Sequence, residues 1–464
     1  MLERAKMLQA IAVGLCMVLG GAAGAQVHVV PGGAGDEDGS DWDNAFASLQ
    51  DAVDAAADNG GEVWVAEGTY ELSDPVSWPG GVEGYGGFEI GGDFDDRDPW
   101  ANPSVLDGSD VGDAGDLSEH ADGAVIFFGD EGSTGNRIDG FRIENADSNR
   151  GAVLVAAEDD VEDVEATVAQ CHLVDNQSEM GAAITADSTS TLHVEDCIFE
   201  GNQADNLGGA ILYRFETAGS ITNSIFFNNT SGDDHGAGSA IFADVSGIPV
   251  EYSTFAGNVV DGDDGYVIRN AFEVSDSIIF GNEPNDVEEP DEITNSIHET
   301  DIDEDPLFMD ADAGNFRLQP DSPAIGAADD DGNLGARDLP GTGDPIDAAP
   351  DPRVFVAPDD STELGPVLVH EDFEEEASFQ WYLNGEELED ETGDGMFIDD
   401  ATEDHAGTYT VVVSHPDFED PLAEFDIEVR VEEVQAPAAG LVGLAAAGGA
   451  IALAGLARMR RKRR

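Results

Sequence analysis

Five copies of one short pattern lie between Cys171 and Asn282: Cys171-His-Leu-Val-Asp-Asn176, Cys197-Ile-Phe-Glu-Gly-Asn202, Ser224-Ile-Phe-Phe-Asn-Asn229, Ser253-Thr-Phe-Ala-Gly-Asn258 and Ser277-Ile-Ile-Phe-Gly-Asn282. Each opens on a small residue, carries an apolar third residue and closes on Asn, and the starts lie 26, 27, 29 and 24 residues apart. A second pattern keeps phase with the first: Gly151-Ala-Val-Leu154, Gly181-Ala-Ala-Ile184, Gly208-Gly-Ala-Ile211, Gly238-Ser-Ala-Ile241 and Gly265-Tyr-Val-Ile268. Two interleaved repeats at one period predict a solenoid, because a unit this short buries its apolar face only against a stacked neighbour. Apolar and small residues alternate before each Gly or Asn, and no amphipathic run of helical length fits between copies, so the unit is β. A coil of about 25 residues with two or three short strands is a rung of a parallel β-helix, with rungs about 4.8 Å apart. Asn176, Asn202, Asn229, Asn258 and Asn282 are then expected to form a structural ladder at one turn. Asn tolerates left-handed backbone there, and its amide bonds to the rungs above and below.

Before the repeats, residues 1–25 read as a secretory signal peptide: Arg4 and Lys6, an apolar run from Met7 to Gly21, then Ala23-Gly-Ala25 before Gln26. Val27-His-Val-Val30 and Glu62-Val-Trp-Val-Ala66 read as strands. Between them Ala45, Leu49, Ala52, Val53 and Ala56 keep a helical period over Trp42 to Ala57, with Asp41 as expected N-cap and Asn59-Gly-Gly61 as the stop. A helix over the first rung covers an open end that otherwise exposes strand edges.

The chain of 464 residues carries 100 Asp and Glu against 18 Lys and Arg, a net charge of −82. Removing the +1 of the leader and the +6 of the last seven residues leaves −89 on residues 26–457. That surface excludes direct binding of nucleic acid or anionic lipid and repels polyanions unless Ca²⁺ bridges them. It suits high salt, where charges are screened. Cys171 and Cys197 occupy one slot in successive rungs, where stacked parallel side chains point poorly for a disulfide, so two buried free thiols are expected.

The run DGSDWDNAFASLQDAVDAAADNGGEVWVAEGTY, followed by YGGF, Arg97 and NPSVLDG, resembles the start of bacterial right-handed β-helix proteins of the polymorphic outer-membrane-protein and pectin-lyase-like type, and the GGAI and IFxGN copies resemble their rungs. The run from Asp303 to Ala328, DEDPLFMDADAGNFRLQPDSPAIGAA, is similar to the last rungs of the choice-of-anchor Q family. The resemblance implies an all-β, right-handed parallel β-helix over residues 26–345, with cap and first coils at 26–120, repeat rungs at 121–300 and terminal rungs at 301–345. It implies export and leaves activity open, since the fold serves lyases, hydrolases and adhesins alike. Residues 352–432 resemble an immunoglobulin-like domain, with Trp381 in the core and Gly407-Thr-Tyr409 at the corner, but His405 stands where Asp is usual and Val411 fills a Cys slot.

Residues 434–464 look like a PEP-CTERM-type sorting signal: Pro437 in a degenerate motif, a weakly apolar run at 439–457 and the basic end from Arg458 to Arg464. The resemblance implies an exosortase-type protease as partner, passage through the membrane by residues 439–457, and delivery to the cell surface. A plain membrane anchor is the other reading.

The residues show no recognisable catalytic pattern. Pairs such as Asp159-Asp160 and Asp233-Asp234 are expected by chance among so many acids, and Arg142, Arg150, Arg214 and Arg269 lie in the rungs without a motif. His172 and His193 are candidates to line one face. Asp301, Asp303, Asp305, Asp329 and Asp331 loosely resemble Ca²⁺ loops, but Pro306 replaces the turn Gly and the closing Glu is missing. Structural Ca²⁺ is the one candidate cofactor. The sequence therefore points to an exported, surface-anchored β-helix for adhesion or for interaction with matrix polysaccharide or a surface protein. The alternative is a carbohydrate-active enzyme, a polysaccharide lyase or glycoside hydrolase, which a carboxylate pair on adjacent rungs favours.

Overall fold

The computed structural model describes residues 26–431 except 60, 113–120, 130–133, 157–163, 216, 233–237, 245–247, 262–264, 270–272, 284–286, 288–292, 299–304, 312–313, 320–321, 329–331, 338, 341, 343–345, 349–352, 357–360, 370–376, 389–390, 400 and 415–422. Residues 1–25 and the chain from residue 432, including Pro437 and residues 439–457, lie outside the described residues. The chain divides into two compact units, Met1–Pro345 and Ile346–Arg464.

The first unit is an all-β parallel solenoid with one α-helix. Four parallel sheets of ten, nine, seven and five strands build it, the five-stranded one confined to the coils from Asp147 to Val260. A middle coil uses all four, through Glu165–Ala169, His172–Val174, Gln177–Met180 and Ile184–Asp187. That is one or two strands more than expected from the sequence. The extra strand is short and carries polar outward residues, so it gives no apolar alternation to read. Inward positions of successive coils meet in register, as Leu173, Phe199, Phe226 and Phe255 do. The three Phe rings stack at 4.7 and 4.6 Å, within 4° of parallel, and all are fully buried.

All five ladder asparagines are buried at the turn from the nine-stranded to the five-stranded sheet. From Asn202 on, each Oδ1 accepts from the backbone N–H and the Nδ2 of the Asn one coil before, and Asn176 Oδ1 accepts from Ala146 N–H at 3.1 Å. Between Asn202 and Asn229 these distances are 3.1 and 2.9 Å, and between Asn229 and Asn258 they are 3.0 and 2.9 Å. The second Nδ2 proton goes to a backbone carbonyl one coil back, for Asn229 that of Phe199 at 2.9 Å. The left-handed backbone belongs to the residue before each ladder Asn: Asp175, Gly201, Asn228, Gly257 and Gly281 have φ between 53° and 72°. That corrects one reason for Asn at this place; its amide, not its tolerance of positive φ, is what the slot uses.

The small-residue slot forms a second ladder. Ser224 Oγ accepts from Cys197 N–H at 3.2 Å, Ser253 Oγ from Ser224 N–H at 3.2 Å, and Ser277 Oγ from Ser253 N–H at 3.0 Å. Ser296 extends it through the N–H of Ser277 at 3.0 Å, marking a further coil at Ile293–Thr294 and Ile297–His298. Cys171 and Cys197 hold the same slot as buried free thiols. At the head of the seven-stranded sheet, Gly151 and Gly208 take φ of 81° and 67°, and a Cβ on either would lie 2.6 Å from a backbone oxygen, which explains the recurrent glycine.

Near the chain start, the helix α1 spans Leu49–Asn59 and buries Leu49, Ala52, Val53 and Ala56 in the main core with Val27 and Val63. It begins seven residues later than Trp42, and Ser48 rather than Asp41 caps it, accepting from Asp51 N–H at 3.2 Å. The reason is local: Phe46 pairs with Val29, which holds the chain extended just before the helix.

The described residues between 305 and 342 do not form the terminal rungs expected there. Within the described residues, Phe308–Asp310 and Asn315–Leu318 pair antiparallel and join none of the parallel sheets. This segment lies on the outer face of the nine-stranded sheet. Phe316 and Leu339 pack on Ile198, Ile225 and Phe227, and Leu318 and Leu334 pack on Ile278 and Ile297. Asn223 clamps it, accepting from Arg337 N–H at 2.6 Å and donating to Arg337 O at 2.8 Å. Arg337 lies 4.5 Å over the Tyr252 ring. An outer face with Ile198, Ile225, Ile278 and Ile297 needs such a cover, because apolar side chains on the outside of a coil gain stability only when water is removed from them.

The second unit has a five-stranded sheet in the order Arg353–Val356, Ala423–Val431, Gly407–Ser414, Ser378–Leu383, Glu386–Glu387, with Thr362–Leu364 paired to Met396–Ile398 and Ile346–Ala348 to Leu368–Val369. Trp381 is fully buried and its indole N–H donates to Gly393 O at 2.8 Å. Tyr409 donates from its hydroxyl to His405 O at 3.2 Å.

Candidate functional site

Alternation along strands sets which side chains leave the solenoid. On Phe141–Glu144, His172–Val174 and Ile198–Glu200, the inward residues are Ile143, Leu173 and Phe199, so Arg142, Glu144, His172 and Glu200 face out. Register places Arg142 beside His172. Arg142 Nε donates to Glu144 Oε2 at 2.6 Å, and its Nη1 lies 2.9 Å from His172 Nδ1. A guanidinium only donates, so Nδ1 accepts and the ring proton sits on Nε2, which donates to Glu200 Oε2 at 3.0 Å. The His172 hydrogen bond, against partial burial and with Arg142 nearby, holds the Glu200 carboxyl below its ordinary range. Both ring nitrogens of His172 are thus engaged, which makes the row a tie between coils.

This tie has a pH signature. A carboxyl with a lowered folded pKa contributes stability present above its unfolded pKa, near 4.3, and lost as pH falls through the lower folded value. Glu200→Gln should flatten the acid limb of the melting profile below about pH 4.3, by a fraction of a kcal/mol because the group is half exposed. Thermal melts from pH 6 to 3 on both proteins check this; parallel acid limbs would show the tie to be worth nothing.

The outer face of the ten-stranded sheet carries a longer row. Glu62 and Glu83 stand in register on adjacent coils, as do Trp64 and Tyr85. Glu62 accepts from the Trp64 indole N–H at 3.0 Å and Glu83 from the Tyr85 hydroxyl at 2.6 Å. Burial and the neighbouring Glu83 push the Tyr85 hydroxyl far above its usual range. Trp64 stacks on the buried Phe88 at 4.8 Å and 12°. Asp139 follows Tyr85 one coil on, and takes both Arg97 and Arg137, the latter at 2.8 Å. Further along, His193 Nδ1 lies 2.8 Å from Ser220 Oγ. Ser220 sits inside a strand paired on both sides. It is not at a turn or helix start, where backbone N–H groups converge to hold an oxyanion.

Of the other arginines, Arg150 and Arg214 meet at the buried Asp187, Arg214 at 3.6 Å, and Arg269 lies 5.1 Å over Phe242. Asp159-Asp160, Asp233-Asp234, Asp301, Asp303, Asp329 and Asp331 lie outside the described residues. Asp305 is described; its carboxylate accepts from Leu307 N–H at 2.8 Å. Among the described residues no three His, Cys, Asp or Glu side chains are grouped to hold a metal ion, and no helix is long and apolar enough to cross a membrane. Sequence reasoning named Arg142 and His172 singly and missed Glu144 and Glu200, which register alone brings to them. No protein-family model matches the chain, and no curated protein matches it significantly.

Proposed function

We propose that the chain is an exported, surface-anchored adhesion protein of the right-handed, pectin-lyase-like and choice-of-anchor Q type, which binds matrix polysaccharide or a surface protein without transforming it. In this reading α1 is the cap of the solenoid, residues 352–432 are an immunoglobulin-like module, and residues 434–464 are a PEP-CTERM-type signal cut by an exosortase-type protease near Pro437. The observation that supports it best is the pairing of the outward ionisable groups: Glu62 with Trp64, Glu83 with Tyr85, Asp139 with Arg97 and Arg137, and His172 with Arg142 and Glu200. Groups held this way present a fixed polar relief and no poised acid or nucleophile. The buried Trp381 and the Tyr409 hydroxyl bonded four residues upstream support the immunoglobulin-like module.

The test is adhesion of the purified, exported chain to immobilised polysaccharides, with reducing-end and unsaturated-product assays on the same samples. Retention without product is the expected result. Product formation lost in Glu62→Gln or Glu83→Gln would overturn it in favour of the enzyme, the reading that this in-register carboxylate pair favours. Mass spectrometry of the surface fraction should find no residues beyond about Ala438; an uncleaved peptide reaching Met459 would leave a plain anchor.

Charge gives a further expectation. With −89 on residues 26–457, the melting temperature should rise with NaCl as repulsion is screened, and rise further with CaCl₂ at equal ionic strength. Equal effects of the two salts would remove Ca²⁺ as a structural cofactor, and an unchanged melt would remove repulsion as a destabilising factor.

A further inference from the structure

Three parallel sheets begin near the chain start, and their leading edges are met differently. Val27–Val29 leads the ten-stranded sheet, and its edge is bonded: His28 N–H donates to Gly39 O at 3.0 Å, and His28 O accepts from Phe46 N–H at 2.9 Å. Val76–Ser77 leads the seven-stranded sheet. There the Gln50 side chain of α1 takes the place of a strand, its Oε1 accepting from Ser77 N–H at 2.8 Å and its Nε2 donating to Ser77 O at 3.2 Å. Gly68–Glu71 leads the nine-stranded sheet and pairs only with Ser104–Asp107. Gly68 and Leu72 donate to Pro103 O and Asp107 O at 3.0 and 3.2 Å, so alternate residues from Gly68 on face the neighbouring strand. Thr69 and Glu71 therefore turn their N–H and C=O groups the other way, where no group of the described residues bonds to them.

A cavity of about 450 Å³ adjoins this edge. Leu49, Tyr70, Leu72 and Val76, which belong to the main core or pack on it, line it together with the exposed Glu71 and Asp74. None of its described lining residues is Lys or Arg. We propose that this edge is a docking site for an extended peptide segment of a partner protein in which apolar and basic residues alternate. Strand addition satisfies the outward groups of Thr69 and Glu71, and a bare leading edge is a ready template for it. Side chains of the added strand point alternately to its two faces. Those on the Tyr70 side enter the cavity against Leu49, Leu72 and Val76, where apolar groups gain by leaving water. Those on the other side stand beside Thr69 and Glu71, where a Lys or Arg meets a carboxylate. Charge disfavours a second copy of the chain as the occupant, because joining this edge of two copies brings together Glu71, Asp74 and surfaces that carry −89 each. The proposal rests on this end of the solenoid alone and is independent of the adhesion reading.

The experiment is fluorescence polarisation of the exported chain with labelled octapeptides of alternating Lys-Val, Glu-Val and Lys-Gly, at about 0.15 M NaCl. The Lys-Val peptide should bind at least about tenfold more tightly than the other two. Hydrogen exchange of the wild-type chain should slow at the Thr69 and Glu71 amides when that peptide is present. Thr69→Pro removes one outward N–H and leaves the bonds to Ser104–Asp107 in place, so it should melt like wild type and weaken the peptide about tenfold. Glu71→Lys/Asp74→Lys should remove the preference for Lys-Val over Glu-Val. Equal binding of the Lys-Val and Lys-Gly peptides, or unchanged exchange at Thr69 and Glu71, would reduce the effect to general charge attraction and overturn the site, as would failure of the Lys-Val peptide to bind. Should Thr69→Pro melt low, the exchange result on the wild-type chain decides. Concentration-dependent dimers of wild type that Thr69→Pro abolishes would assign the edge to a second copy and overturn the basic partner.

Discussion

Phe226→Asp should abolish folding of the solenoid unit. Phe226 is fully buried and lies between the Phe199 and Phe255 rings at 4.7 and 4.6 Å. A carboxylate there meets two ring faces and no donor, and burying an unpaired charge costs several kcal/mol beyond the lost packing. That is comparable to the whole stability of an ordinary domain. Phe226→Leu, which keeps an apolar side chain in the column, should cost only about 1–3 kcal/mol. Circular dichroism and urea melts of the two variants separate charge from shape; a cooperative, wild-type-like melt of Phe226→Asp would mean the inward register is wrong.

Asn229→Ala should cost about 3–5 kcal/mol, far more than removing one surface amide. The side chain serves three partners: Asn202 N–H and Nδ2 donate to its Oδ1, and its own Nδ2 serves Phe199 O and Asn258 Oδ1. Truncation takes this partner from the buried N–H and Nδ2 of Asn202 and from the Phe199 carbonyl on the same coil, each at about 1–3 kcal/mol, while Asn258 Oδ1 keeps the backbone N–H of residue 229. Asn229→Asp keeps the shape but turns the donating end into an acceptor facing the Phe199 carbonyl, and should be at least as damaging. Urea denaturation measures both; a loss under about 1 kcal/mol would show that water replaces the ladder.

The two variants also mark what could be read from the sequence. The Phe column and the Asn ladder were legible because identical residues recur at one period, and stacking in register turns a period into a contact. The strap of residues 305–342 was not legible. Its Phe316 and Leu318 look like any strand, and only the outward Ile198, Ile225, Ile278 and Ile297 on distant coils decide that it lies across the sheet. Asp41 read well as a cap because the periodicity ran back to Ala45, yet pairing of Phe46 with Val29 overrode local preference. Of the candidate site, Arg142 and His172 could be named, but their meeting depends on a register set thirty residues apart, and Glu200 joined them only through it.

A stack of coils that touch only their neighbours behaves as a linear array, and such arrays unzip from their ends one unit at a time. The strap changes that statistics. By packing Phe316 against the Ile198 coil, clamping Arg337 to Asn223 and resting Leu318 on the Ile297 side, it makes next-nearest and more distant coils depend on one another. Fraying of the last coil then carries the loss of contacts several coils away, so the segment from Ile198 to Ile297 should open as a single cooperative block in hydrogen exchange, while coils before it open separately.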